Sequence, residues 1–386
     1  MPDSIIMHYD EICLKGKNRG LFERKLAENA RKALGTSIAG MRLGRGRIVA
    51  KLAEGVGIGE AQRRLSLLPG VVNFSFAVTA PLDIEKMEAG ALQLLEGEKP
   101  LSFRVTTSRA NKRFPLGSQE VDRRLGEVIC DRLGWKVDLH NPGLTLFVEI
   151  DDKQAYLYTE KLGGIGGLPA GSSGSVVCSL SGGLDSPVAA FMMMKRGCKV
   201  VFAHAYNRTI ESTAVKDKLS GIVERLTEVQ LSSKLYIVPF EGLQREIIAS
   251  VPAKLRMIVY RRAMMRIMNG VAAKERCRGI VTGDSVGQVA SQTLENLHCI
   301  YDAARMPVFA PLAGMNKSET VEIARRIGTY GQSILPAADC CSFMIAQSPE
   351  TRASLKFVQA AEEGIPVEGL AAEAVEKSEI LLFESK

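Results

Sequence analysis

The residues Ser181-Gly182-Gly183-Leu184-Asp185-Ser186-Pro187 constrain this chain more than any other stretch. They follow a short apolar run at 176–180 that reads as a buried strand, and they open a helical pattern over 187–196. A strand that turns through two glycines into a helix offers free backbone N–H groups and the positive end of the helix dipole, which favour an anion. The glycines let the backbone approach phosphate oxygens and take positive φ. Ser181 and Ser186 carry hydroxyl donors, and Pro187 fits the first helical turn, where its missing N–H is not needed. Asp185 is the odd member. A carboxylate beside phosphates repels them unless a cation bridges the two, so Mg²⁺ is expected near it. The string lacks the Gly-Lys-Ser/Thr ending of a Walker A loop and the spacing of a dinucleotide fingerprint.

Further apolar runs at 200–205, 235–238 and 280–282 alternate with helical patterns near 213–229, 241–251 and 254–276. Continuous Val/Ile runs separated by helices predict a doubly wound parallel sheet covered on both faces. In such sheets ligands lie beyond the carboxyl ends of the strands. Six glycines and a proline between 163 and 174 can continue neither a helix nor a central strand, which places a domain boundary there. Before it, strand-like runs at 5–8, 48–51, 71–78, 101–106, 144–150 and 155–159 alternate with helices, best seen at 21–34 and 118–133. That order predicts α+β units. The expected class is α/β: an N-terminal α+β domain at 1–58, a second at 59–165, a Gly-rich linker at 166–174 and the parallel-sheet domain at 175–386.

At 386 residues the chain is long enough for two or three domains. Its 46% hydrophobic and 24% charged residues are those of a soluble protein. The longest apolar run, 188–194, is too short to cross a bilayer. The N-terminus has no basic segment leading into an apolar core, so neither membrane insertion nor export is expected. Eight cysteines scattered over this length do not resemble the disulfide framework of a small secreted domain, and a reducing cytoplasm is the expected location. The net charge of +7 is mild, yet residues 11–51 hold eleven Lys/Arg against three acids, and 254–278 hold eight against one. Such concentrations suit RNA or nucleotide phosphates, and equally a solvated basic face. Arg262 and Arg266 fall in the second segment with both roles open. Aromatic residues are only 6%, so extensive base stacking is not signalled.

The Ser-Gly-Gly-x-Asp-Ser string in its strand–loop–helix setting resembles the signature of the PP-loop ATP pyrophosphatases, whose domain is adenine nucleotide alpha hydrolase-like. Other strings narrow the class. Residues 11–19 (Glu-Ile-Cys-Leu-Lys-Gly-Lys-Asn-Arg) look like the opening of a ferredoxin-like domain, and 103–115, Val137-Asp138-Leu139 with Asn141-Pro142, and Tyr158-Thr159-Glu160-Lys161 look like a THUMP domain. Residues 283–293, beginning Gly283-Asp284-Ser285, then Pro311-Leu312 leading to Gly314-Met315-Asn316-Lys317, and Ile334-Leu335-Pro336 leading to Asp339-Cys340-Cys341, complete the pattern. Over nearly its whole length the chain resembles the tRNA 4-thiouridine synthetases (tRNA uracil 4-sulfurtransferases).

That resemblance implies ATP-dependent adenylation of O4 of the uridine at position eight of tRNA, followed by attack of sulfur at C4 and release of AMP. Covalent activation divides one difficult substitution into two easier steps. It places Ser179, Leu180, Ser181, Gly182, Gly183, Asp185, Ser186, His204, Ala205, Arg261, Gly283 and Gln292 around ATP. Asp185, Lys317 and Cys341 become catalytic, and Lys15, Lys17, Arg19, Arg109, Lys112 and Arg113 fall in the segments expected to bind tRNA. A homodimer that presents tRNA across both subunits is implied as well. The residues by themselves leave other roles open. His204 suits a hydrogen-bonded histidine at a strand end, and Lys317 suits a surface lysine on a helix capped by Asn316 or Ser318.

Cys341 matches the family's catalytic cysteine, with a persulfide supplied by a cysteine desulfurase or with free sulfide as the source. A bridge between the chain neighbours Cys340 and Cys341 would be strained and is not expected. Many members continue into a rhodanese domain, and the mostly helical pattern after Thr351 is not expected to hold one. Some members without it carry an iron–sulfur cluster held partly by Cys-x-x-Cys. Here that region reads Cys277-Arg278-Gly279-Ile280, so a cluster would need Cys277, Cys299 and Cys341 or Cys340. Two other functions are weighed. A different product such as 2-thiouridine keeps the loop and the RNA. A non-catalytic RNA-binding protein would show a broken loop, whereas Ser181, Asp185 and Ser186 are intact.

Overall fold

The phosphate-loop string lies in the second of two units, Met1–Gly167 and Leu168–Lys386, of a computed structural model that describes residues 1–207, 213–336 and 348–385. The first unit runs β1 (Ser4–His8), α1 (Arg19–Leu34), β2 (Ile38–Gly44), β3 (Arg47–Leu52), α2 (Ile58–Ser66) and β4 (Asn73–Ala80). It continues with α3 (Ile84–Leu95), β5 (Phe103–Arg109), α4 (Ser118–Leu133), β6 (Leu144–Ile150), β7 (Ala155–Tyr158) and β8 (Leu162–Gly163). β1 pairs antiparallel with both β3 and β4, which closes a βαββαβ unit. α2 and β4 therefore belong with the N-terminal strands, beyond the boundary expected at residue 58. β4 also pairs with β7, so the sheet runs on without a break in the order β2-β3-β1-β4-β7-β6-β5.

Glu149 on β6 ties three other strands of this sheet. Tyr158 donates to its Oε1 at 2.6 Å, His8 Nε2 lies 3.0 Å from the same oxygen, and the Arg47 guanidinium contacts Oε2. Burial pushes the Glu149 carboxyl up, but the His8 hydrogen bond and charge, with Arg47, outweigh it and hold the pKa at about 2 against an ordinary 4.5. A depressed folded-state pKa gives stability that is present above the unfolded value and lost as pH falls toward the folded one. The first unit is thus expected to lose roughly 3 kcal/mol between about pH 4.5 and pH 2. Hydrogen exchange at β6 and β7 across that range checks this, and Glu149→Gln should flatten the dependence.

The second unit runs β9 (Ser175–Ser179), α5 (Asp185–Lys195), β10 (Lys199–Tyr206), α6 (Thr213–Gln230), β11 (Ser232–Pro239), α7 (Glu241–Ser250) and α8 (Arg256–Glu275). Then follow β12 (Ile280–Val281), α9 (Leu294–Tyr301), β13 (Val308–Phe309), α10 (Lys317–Arg326), α11 (Tyr330–Ser333), α12 (Leu355–Glu362), α13 (Val367–Glu376) and β14 (Glu379–Glu384). The sheet order is β13-β12-β9-β10-β11-β14, parallel except for β14, which is antiparallel to β11. The parallel sheet read from the sequence is therefore mixed, with an antiparallel edge. On β9, Val177 joins the core built on α8, while the next residue, Cys178, donates its thiol to the Ser186 carbonyl of α5 at 3.7 Å. Neighbouring side chains thus meet helices on opposite faces, as a doubly wound sheet requires.

Arg262 and Arg266 on α8 do not face solvent. Arg262 is buried and donates to Glu362 at 2.7 Å and Asp302 at 3.0 Å, and Arg266 reaches Glu362 at 2.8 Å and Glu368 at 3.0 Å. They fasten α12 and α13 to α8, which removes the reading of these two arginines as RNA ligands. Among the described residues no helix is long and apolar enough to cross a membrane.

Candidate active site

β9 ends at Ser179, and Leu180 N–H still donates to Ala203 O on β10 at 2.9 Å. From there the chain turns into α5, whose first residue is Asp185. The turn is clamped by Ser186. Its Oγ accepts from Ser181 N–H at 2.8 Å, lies 3.2 Å from Ser181 O as a donor, and sits 3.0 Å from Ser181 Oγ. Ser181 Oγ in turn accepts from Gly183 N–H at 3.3 Å. The Ser186 hydroxyl, in a residue only 3% exposed, is engaged with the loop itself. Neither Gly182 nor Gly183 has the positive φ expected of it. A Cβ at either position would meet only ordinary contacts, at 3.4 Å and 3.5 Å, so their smallness serves to leave the loop backbone open.

A cavity of about 510 Å³ opens at the carboxyl ends of β9, β10 and β12. Ser179, Leu180, Ser181, Asp185, Ser186, His204, Ala205, Arg261, Gly283 and Gln292 line it, while Gly182 and Gly183 are not among its lining residues. Its remaining wall includes Lys254, Met257, Ile258, Met264 and Asp284. His204 Nδ1 lies 2.8 Å from Leu180 O, which makes Nδ1 the protonated nitrogen. Arg261 Nη2 grips both oxygens of Asp284, at 2.6 and 2.7 Å. Asp284 also accepts from Tyr301 at 2.7 Å and from Gln292 Nε2 at 3.0 Å. Burial pushes the Asp284 carboxyl up, yet the Arg261 charge and the Tyr301 hydrogen bond prevail and hold it below the ordinary carboxylate range. The Tyr301 phenol is pushed up, first by burial and then by the Asp284 charge.

Asp185 meets its cation from the protein. Lys317 Nζ lies 2.6 Å from Oδ1, and Gln288 Nε2 donates to Oδ2 at 3.0 Å. Lys317 is the first residue of α10, and Asn316 caps that helix by accepting from Glu319 N–H at 3.0 Å. Cap and contact coexist, because Asn316 orients the turn from which Lys317 reaches the loop.

Cys340 and Cys341 fall outside the described residues. The Cys277 thiol is pushed up to about 12 by burial and then by the Glu275 charge, and its neighbour Arg278 donates to Ser175 O at the amino end of β9, opposite the cavity. The Cys299 thiol is also pushed up by burial and donates to Ala353 O at 3.4 Å in the core. Cluster iron needs thiolates drawn together. Among the described residues no three His, Cys, Asp or Glu side chains are grouped to hold a metal, and the third ligand expected beside Cys277 and Cys299 lies outside those residues. In the first unit, Lys17, Lys112 and Arg113 are exposed. Arg19 is paired with Glu23 at 2.7 Å, and the Lys15 ammonium stands 5.2 Å over the Phe22 ring. Arg109 spans the turn after β5 by donating to Phe114 O at 3.1 Å and Leu116 O at 2.5 Å.

A mainly parallel sheet whose first strand turns through Ser-Gly-Gly-Leu-Asp-Ser into a helix, with a nucleotide-sized cavity at that turn, defines a PP-loop ATP pyrophosphatase. Family models agree and extend it: a ThiI ferredoxin-like domain matches residues 4–75, a THUMP domain 82–160, and thiamine biosynthesis protein (ThiI) 171–367. The chain belongs to the ThiI family of tRNA sulfurtransferases. It is 40% identical over 386 residues to a probable tRNA sulfurtransferase of Moorella thermoacetica, covering 100% of this chain and 98% of that one. It is 40% identical over 380 residues to the probable tRNA sulfurtransferase of Thermus thermophilus, covering 98% and 93%. A solved 4-thiouridine synthetase–RNA complex with bound ATP superposes with a TM-score of 0.91 at 33% identity, covering 100% of both chains.

Proposed function

We propose that this chain is an ATP-dependent tRNA sulfurtransferase that converts a uridine of tRNA, the one at position eight, to 4-thiouridine. The observation that carries the reading is the single cavity that joins the Ser181–Ser186 loop, the His204 and Ala205 strand end and the Arg261–Asp284 pair. O4 of the uracil attacks the α-phosphorus of ATP, and pyrophosphate leaves toward the loop. A nucleophilic sulfur then adds at C4, and AMP departs with the former O4. Loop N–H groups and Lys317 face charge that develops on the phosphates, where preformed donors act most strongly. When bound, Mg²⁺ supplies further neutralisation of the phosphates. Asp185 would hold it, since one carboxylate with substrate phosphates suits that ion, and Lys317 would then be released toward the nucleotide.

Cys341 is the proposed sulfur carrier. Its terminal persulfide sulfur attacks C4, and a second thiol opens the remaining S–S bond, leaving a disulfide that an external thiol reduces. The test uses unmodified tRNA, Mg-ATP and either free sulfide or a cysteine desulfurase with cysteine, read by nucleoside mass spectrometry. 4-Thiouridine is expected with the intact chain. With the desulfurase as source it should disappear in Cys341→Ala and persist in Cys277→Ala. 2-Thiouridine instead, or pyrophosphate release from ATP without any thiolated base, would sink the assignment.

A further inference from the structure

Lys218 on α6 has no part in the mechanism above, yet among the described residues it is the one buried lysine, at 8% exposure. Its position is the phosphate loop: a Cβ on Gly182 would lie 3.4 Å from Lys218 Cε and 3.5 Å from Nζ. The Nζ donates to Leu335 O at 2.7 Å, which fixes the ammonium beside Gly182. Gln332 packs against Gly221 one turn further along α6, where a Cβ would stand 3.0 Å from the amide carbon, so the helix that carries Lys218 is held at fixed distance from α11.

We infer that Lys218 is a second phosphate-binding lysine, which contacts the β- and γ-phosphates of ATP on the Gly182 side of the loop while Lys317 serves the Asp185 side. The inference rests on the ATP reading and goes beyond it by dividing the leaving pyrophosphate between two ammonium groups. Each meets a different part of the loop, Gly182 against Lys218 and Asp185 against Lys317. Neither lysine lies near the adenosine wall formed by His204, Ala205 and Arg261 in this assignment. Lys218 should therefore discriminate the polyphosphate from the monophosphate.

The experiment measures binding of ATP, AMP and inorganic pyrophosphate to the full chain at fixed Mg²⁺, for wild type, Lys218→Met and Lys218→Arg. A charged hydrogen bond lost to methionine predicts about a 10- to 100-fold weaker affinity for ATP and pyrophosphate, with AMP unchanged within about twofold. Lys218→Arg keeps the charge and should recover most of the loss, which separates charge from folding. Equal weakening of ATP and AMP would mean that Lys218 only props the loop, and unchanged pyrophosphate binding would also overturn the inference. A wild-type chain that binds no ATP would remove the ATP reading first, before any variant is compared.

Discussion

Gly283→Ala is expected to weaken ATP-dependent adenylation at least about 100-fold while shifting the melting temperature by only a few degrees. A Cβ at position 283 would stand 2.7 Å from Ser186 N, 2.8 Å from the Asp185 carbonyl carbon and 3.0 Å from Asp185 Cβ. Two of these three atoms are backbone of the first turn of α5, so no side-chain rotation relieves the contact. Either β12 or the phosphate loop must give way. Overpacking of this kind costs about 1–3 kcal/mol, which the unit can survive. Function is less forgiving, because the displaced atoms are those that orient the loop N–H groups, and a misplacement of about 1 Å costs on the order of 100-fold in rate. Gly182→Ala provides the contrast, since its nearest neighbour, Lys218 Cε, would stand at an ordinary contact distance of 3.4 Å. Pyrophosphate release and thermal melting of both variants check this. Normal turnover in Gly283→Ala would show that the α5 turn yields freely.

The reasons for that difference mark what the sequence makes legible. The β9–loop–α5 unit could be read because each residue type answers a local demand: apolar run, glycines, helix-starting Asp-Ser-Pro. The helices α6, α7 and α8 were legible within a residue or two for the same reason, their apolar periodicity being local. Residues 379–384 gave no such signal. Ile380 and Leu382 remain 47% and 71% exposed, so the strand exists through its ladder with β11 rather than through a buried face. β2 escaped notice likewise, with no residue fully buried along it. Charge counting could not find that Arg262 belongs to Glu362, exactly because the partner is 100 residues away in the chain. Ser186 clamps its own loop through a hydrogen bond that only the turn geometry brings about. Asp284 sat in plain view within 283–293, but its meaning depends on Arg261, Gln292 and Tyr301 converging on it.

That convergence makes Asp284→Ala the more destructive of the site substitutions for stability. The Asp284 side chain is 4% exposed and the Arg261 side chain 15%, so the guanidinium left behind would be largely buried without its counter-charge. Removing one member of such a pair costs about 3–5 kcal/mol, because the remaining charge stays in a medium that solvates it poorly. Tyr301 and Gln292 would lose their acceptor at the same time. Asp284→Asn keeps the volume but replaces an acceptor with an amide that directs N–H donors at other donors, so it should lose most of the same stability. The pH dependence has a definite sign. With the folded carboxyl held below its ordinary value of 3.8, the contribution of Asp284 is present above that pH and disappears in stronger acid. Arg261→Met in the Asp284→Ala background supplies the decisive comparison by urea unfolding of the full chain. If Asp284 acts by balancing Arg261, the double variant regains stability over Asp284→Ala alone, yet still binds ATP poorly because the arginine on the cavity wall is gone. Additive losses would mean instead that Asp284 supports the wall through Tyr301 and Gln292, with Arg261 an independent ligand.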